Sequence, residues 1–196
     1  MTDPLFDDGD DANTPLTVEE REQLIPSYIA IRRELNEAEA RNIADGFRWL
    51  TSRKRDVLNQ ALLNDLHRRM FGQVWKWAGS YRTTPRNIGI DAYRIAAEIR
   101  QTIDDTRYWI DAQTYPPDEI AVRFSHRIVA IHPFPNGNGR FSRLVGDALA
   151  MQLGQPPFTW GGANLVDANE TRRAYVAALK QADAHNIEAL LIFARG

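Results

Sequence analysis

His132-Pro133-Phe134-Pro135-Asn136-Gly137-Asn138-Gly139-Arg140 places a histidine, a proline-braced loop, two glycines and an arginine between two apolar segments of helical period. Gly137 and Gly139 flank Asn138, and glycine takes positive φ without steric cost, so backbone N–H groups here can converge on one point. A helix beginning near Asn138 would add its first N–H groups and the positive end of its dipole. Phosphate is the natural guest of such a loop. Arg140 and Arg143 share one helical face and can both reach a polyphosphate. His132 is the loop's one side chain with an ordinary pKa near neutrality, which suits it to take a proton from a hydroxyl. The set reads as a phosphoryl- or nucleotidyl-transfer site. A plainer account uses the same residues: a histidine ending a helix, Pro-x-Asn-Gly turn chemistry, and an Arg143–Asp147 pair. Composition alone leaves the two open.

The flanking elements must hold that loop. After Tyr115-Pro116-Pro117 and the helix-starting Asp118 and Glu119, residues Ile120, Phe124, Ile128 and Ile131 repeat on one helical face and deliver His132 to the loop. Within this helix His126 reads as a core or supporting histidine. Beyond the loop, Phe141, Leu144, Val145, Ala148 and Leu149 continue helically to Gly154 and Pro156-Pro157. Upstream, Asn36-Glu37-Ala38-Glu39 reads as a capping box opening a helix with Ile43, Phe47 and Leu50 on one face and Arg53-Lys54-Arg55 at its end. A second helix runs from about Asn59 to Met70 on Leu62, Leu63, Leu66 and Met70, with His67 on its edge as a packing or surface residue. Ile95, Ile99, Ile103 and Ile110 mark a third. Trp75 to Gly89 departs from helical period and suits a short β-hairpin around Pro85. Phe158 to Val166 reads as a loop, with no role assigned to Trp160 or Asn164. Asp167-Ala168-Asn169-Glu170 looks like a capping box for a helix carrying Tyr175, Ala178, Leu179 and Ala182, and a last short helix carries Ile187, Leu190 and Leu191. The fold class expected is all-α with one small hairpin.

With 196 residues, 43% hydrophobic and 26% charged, the chain suits one globular domain. Residues 1–15, with Asp3, Asp7, Asp8, Asp10 and Asp11, are expected to form a disordered acidic tail, and 16–196 a single domain. The absence of cysteine excludes disulfides, thiolate metal sites and a cysteine nucleophile. A net charge of -2 argues against a protein built to grip nucleic acid. No apolar run is long enough for a bilayer and no signal peptide opens the chain, so a cytoplasmic location is expected.

The loop resembles the signature of the Fic family, His-Pro-Phe-x-(Asp/Glu)-Gly-Asn-(Gly/Lys)-Arg, with the further arginine at Arg143. It departs at Asn136, where the family usually has an acid that helps hold Mg²⁺. Trp77-Ala78-Gly79-x-Tyr81-Arg82 is similar to the segment leading into that family's flap, and the ending Pro-Asn-Gly-Asn-Gly-Arg resembles the mobile mystery protein B group. The resemblance implies a Fic-type helical bundle with a hairpin flap. It also implies a protein adenylyltransferase that moves AMP from ATP to a Ser, Thr or Tyr hydroxyl of a target protein and releases pyrophosphate. On that resemblance His132 is the general base and Phe134 the loop anchor. Gly137, Asn138 and Gly139 cradle the phosphates through backbone N–H groups and the Asn amide, while Arg140 neutralises the β-phosphate and Arg143 reaches the γ-phosphate or an inhibitory glutamate. Tyr81, Arg82, Thr83 and Thr84 form a flap edge to which a target strand adds. Asn136 can offer a metal only a neutral carbonyl, so Mg²⁺ would rest mainly on phosphates and water. Glu34, Glu37 and Glu39 lie where the family's inhibitory glutamate is found, at the wrong spacing, and read as an acidic first helical turn in preference to an internal lock. Two alternatives stand beside this: a Doc-like kinase that transfers the γ-phosphate, against which Gly139 speaks because Doc-like proteins usually carry Lys there, and a catalytically weak binding module. A toxin–antitoxin role would bring an antitoxin or helix-turn-helix partner.

Overall fold

The computed structural model describes residues 18–162 and 168–196. Eight α-helices lie within them: α1 (Val18–Gln23), α2 (Arg32–Thr51), α3 (Gln60–Phe71), α4 (Ile95–Asp111), α5 (Pro117–Ile131), α6 (Asn138–Gln152), α7 (Ala168–Asp183) and α8 (Glu188–Arg195). The expected acidic tail, Asn164 and the Asp167 start of a capping box fall outside the described residues. Among the described residues no helix is long and apolar enough to cross a membrane.

The centre of the bundle is the α5–loop–α6 unit. Ile120, Phe124, Ile128 and Ile131 of α5 face Phe141, Val145 and Leu149 of α6, all of them buried. Pro117 sits in the first turn of α5, where its missing N–H costs nothing. In α3 the Asn59 side chain accepts the Leu62 N–H at 3.1 Å, and Leu63, Leu66 and Met70 turn inward as their spacing predicts. Helix α2 packs along α3, and α4 along α5.

Two expectations are corrected. Helix α2 starts at Arg32, not Asn36: Glu34 reaches back to accept the N–H groups of Ala30 at 2.8 Å and Ile31 at 3.4 Å, and Asn36 is exposed in mid-helix. Its buried face is Leu35, Ala38, Glu39, Asn42, Gly46 and Leu50, while Phe47 is 38% exposed. The stripe rotates because polar groups find partners inside it. Asn42 donates to Arg69 O at 2.8 Å and accepts from Gln73 N at 3.0 Å, and Gly46 lets the backbone sit on Met70. The helix ends at Thr51, and Arg55 folds back to donate to Leu50 O at 3.2 Å.

The second correction concerns the hairpin. Residues 81–91 form no paired strands; a bridge outside that segment joins Leu24 to Trp75. The backbone bonds that a hairpin would make across itself go to the end of α5 instead. Arg82 N donates to Pro133 O at 2.9 Å and Ile90 N to Ile131 O at 3.4 Å.

Candidate active site

His132 caps α5 in a left-handed conformation, φ 53° and ψ 60°, with its N–H on Ile128 O at 3.3 Å. For a non-glycine residue this costs on the order of 1 kcal/mol, so the surroundings must impose it. They do so from the carbonyl side. Arg82 donates through Nε to His132 O at 2.7 Å and through a terminal nitrogen to Ile131 O at 3.4 Å. A cation over the last carbonyls of a helix also meets the negative end of its dipole. Gly89, at φ +92°, lies flat against this pair: a Cβ there would stand 2.6 Å from His132 Cβ.

The loop after His132 is locked from within. Asn138 is fully buried and makes a closed pair with Phe134, its Oδ1 accepting the Phe134 N–H and its Nδ2 donating to Phe134 O, both at 2.9 Å. The side-chain amide expected to touch phosphate is therefore spent on the loop itself. Asn136 Oδ1 accepts the Gly137 N–H at 2.6 Å. Gly137, at φ +79°, then opens α6, and a Cβ there would lie 2.5 Å from Phe71 Cζ. The first intrahelical bond of α6 is Phe141 N to Gly137 O at 2.9 Å, so the backbone of Asn138, Gly139 and Arg140 forms the positive end of the helix.

Beneath the loop lies His67, which sequence reasoning put on the edge of α3. It is fully buried and stacks on Phe134 with ring centroids 3.6 Å apart. Its Nδ1 accepts the Gly79 N–H at 3.0 Å, which assigns the proton to Nε2, and Nε2 donates to Asn136 O at 3.2 Å. Burial pushes its pKa down to about 3, against the bond to Asn136 and with help from nearby Arg140, so the ring is neutral. One imidazole thus ties the Gly79 turn to the loop and floors Phe134.

The arginines point differently. Arg140 donates to Glu39 Oε2 at 2.8 Å, and the other oxygen of Glu39 accepts the Trp75 indole N–H at 2.5 Å. Both partners are buried, with the carboxylate 1% and the guanidinium 13% exposed, and the guanidinium lies over the Phe71 ring at 4.9 Å. Arg143 lies over the Tyr175 ring at 5.3 Å. Asp147, the pairing partner considered for it, instead accepts the Phe158 N–H at 3.0 Å and the Trp160 indole N–H at 2.9 Å. Burial raises the Asp147 pKa to about 6, opposed by those two bonds and by Arg143 and Arg195.

The structure thus joins His132 to the start of α6 through one braced loop, with His67 beneath that loop and with Glu39 holding Arg140 and Trp75. Glu39 is not in the first turn of its helix as expected. Its signal was available, since it falls on the stripe of Leu35, Asn42 and Leu50. Glu34 caps α2 and Glu37 is exposed. Of the expected flap edge, Thr83 and Thr84 are exposed, whereas Arg82 is 3% exposed and Tyr81 is half-buried with its hydroxyl on Gln60 at 3.2 Å. His126 supports the bundle by meeting Asp183 at 2.8 Å. Among the described residues no cluster of His, Cys, Asp or Glu could hold a metal ion. Asn136, with Oδ1 on Gly137 and its carbonyl on His67, does not fit a protein-held Mg²⁺.

Comparison with known proteins gives this geometry a lineage. A protein adenylyltransferase Fic of Nematostella vectensis is 28% identical over 133 residues, which cover 66% of this chain and 30% of that protein. The chain therefore spans less than a third of that relative's length. A solved structure of Fic-1 from Caenorhabditis elegans superposes with a TM-score of 0.67 at 23% identity, covering 91% of this chain and 52% of that one. The BepC protein of Bartonella tribocorum, solved with bound AMPPNP, superposes with a TM-score of 0.66 at 18% identity over 93% of this chain and 91% of its own. The family profile described as Fic/DOC matches residues 57–150, the stretch that runs from the start of α3 through the loop to α6. By that match, over 94 of its 196 residues, the chain resembles the Fic/DOC family, and it shares its fold with these neighbours.

Proposed function

We propose that this protein is an adenylyltransferase that moves AMP from ATP to a Ser, Thr or Tyr hydroxyl of a target protein. The observation that carries the reading is the locked loop that joins His132, at the end of α5, to the positive end of α6, the helix that carries Arg140. The names of the relatives and the AMPPNP bound to BepC support it. His132 takes the proton as the acceptor oxygen bonds to the α-phosphorus, and the bond from that phosphorus to the pyrophosphate oxygen breaks. The backbone at the start of α6 and Arg140 and Arg143 take the charge of the phosphates, which supplies positioning and electrostatics. Metal would arrive with the nucleotide, and no protein step depends on it here.

Of the three glutamates, Glu39 is the one positioned to restrain the site. It holds the guanidinium that a phosphate must recruit, so a low resting activity is part of the proposal. A cytoplasmic setting, and a toxin role with an antitoxin partner, extend the same reading.

The test is incubation of the protein with cell lysate and ATP labelled at either the α- or the γ-phosphate. Protein label from α-labelled ATP alone supports the proposal; label from γ-labelled ATP alone identifies a kinase instead. His132→Ala should cut transfer by about 10²- to 10⁴-fold. Absence of label from both, with Glu39→Gln included to lift the restraint, would leave a binding module as the better account.

A further inference from the structure

The Arg82 guanidinium donates to four carbonyl oxygens, and those carbonyls come from two places. His132 O at 2.7 Å and Ile131 O at 3.4 Å belong to the end of α5. Thr84 O at 3.0 Å and Ile90 O belong to the two ends of the stretch that would receive a target. Residues 83–89 of that stretch are all exposed. The Arg82 backbone adds a third tie, its N–H donating to Pro133 O at 2.9 Å. One buried side chain is therefore a shared anchor for the exposed stretch and for the backbone of His132.

A helix cap would need only the α5 carbonyls. The extra pair matters because a planar guanidinium has a fixed fork of donors, so its four acceptors cannot move independently. Gly89 closes the remaining slack: a Cβ there would stand 2.6 Å from His132 Cβ, 2.9 Å from the Arg82 terminal nitrogen and 3.0 Å from Ile131 O. A peptide that docks on residues 83–89 and shifts Thr84 or Ile90 must shift Arg82, and with it the carbonyl that sets the left-handed turn at His132. We propose that Arg82 is a positioning residue that makes the placement of His132 depend on the exposed stretch 83–89, so that acceptor docking registers the base. This rests on the transfer reading above for its functional meaning, though the coupling itself does not.

Arg82→Lys tests it, since an ammonium keeps the charge but cannot span four acceptors set around a fork. In the full chain, amide hydrogen exchange should show the Ile90 and His132 amides losing protection together, with α3 and α8 unchanged. In the lysate assay with α-labelled ATP, the labelling rate at saturating ATP should fall at least about tenfold, with the apparent KM for ATP within about twofold of wild type. A residue important only for folding would instead move KM, rate and melting temperature together. Gly89→Ala is the second variant, for the case that Arg82→Lys does not fold. With Arg82 intact it presses on His132 Cβ, and should give the same loss of rate at unchanged KM. The proposal is overturned if Ile90 loosens while His132 keeps its protection, or if both variants label within twofold of wild type. If wild-type protein transfers nothing, the transfer reading falls, and paired exchange at Ile90 and His132 still decides the coupling.

Discussion

Asp147→Asn should stabilise the protein, and the gain should depend on pH in a way set by one carboxyl. Asp147 Oδ1 accepts both the Phe158 N–H and the Trp160 indole N–H, so an amide oxygen at the same place keeps both bonds. What the amide removes is an ionisable group whose burial holds its pKa up to about 6 against an ordinary 3.8. Between those two values the folded chain binds more proton than the unfolded one. Stability therefore falls as pH rises through that window and is lowest above about 6. The gap from 3.8 to about 6 corresponds to about 3 kcal/mol against folding near neutral pH, and to about half of that near pH 5. The attraction of Arg143 and Arg195 is already contained in that value. For a chain of this length the asparagine variant should melt roughly 6–12 °C higher at about pH 7.5, with about half the increase at about pH 5. Thermal unfolding of both proteins at the two pH values is sufficient. An equal gain at both, or a lower melting temperature near neutrality, would refute the reasoning. It would mean that the two arginines outweigh the burial of the carboxylate.

Three further outcomes follow from the site. Glu39→Gln keeps an acceptor for the Trp75 indole but leaves Arg140 without its carboxylate, so the ligand-free protein should lose about 3 kcal/mol. ATP should then raise its melting temperature more than it raises that of wild type, and equal ATP shifts would count against competition between Glu39 and phosphate. Asn136→Asp puts a carboxylate at the loop, and transfer should become steeply dependent on Mg²⁺, falling below wild type when the metal is scarce; superimposable Mg²⁺ titrations would exclude this. Gly137→Ala combines a positive φ with a Cβ 2.5 Å from Phe71 Cζ, and should cost about 2 kcal/mol or more in urea unfolding. A neutral effect would show that Phe71 yields.

Much of this architecture is legible in the residues. Asn59 and the Leu63, Leu66 and Met70 spacing define α3, and Pro117 with Ile120, Phe124 and Ile128 defines the helix that delivers His132. Where local signals and tertiary partners conflicted, the partners prevailed. Asn36 is a good cap by type, yet Glu34 caps the helix a turn earlier because its carboxylate reaches Ala30 and Ile31. Glu39 and Asn42 are polar and so were invisible to an apolar count, but each is satisfied by a neighbour distant in sequence, Arg140 and Arg69. The segment after Gly79 has the composition of a ribbon, but the Arg82 guanidinium takes the Thr84 and Ile90 carbonyls while the Arg82 and Ile90 N–H groups go to Pro133 and Ile131 at the end of α5. The loop motif itself was legible residue by residue. The use of Asn138 was not, because an amide buried against Phe134 and one facing a phosphate have the same letter in the sequence.

The pair formed by Glu39 and Arg140 also bears on modularity. Residues 57–150 are the stretch that the Fic/DOC profile matches, and Arg140 and Trp75 lie inside it, while the carboxylate that receives both lies outside, on α2. A minimal version trimmed to the matched stretch would strand a guanidinium and an indole N–H at a newly exposed face. The stretch matched by the family profile is thus smaller than the unit that folds, and exchanging that segment alone would require α2 to travel with it.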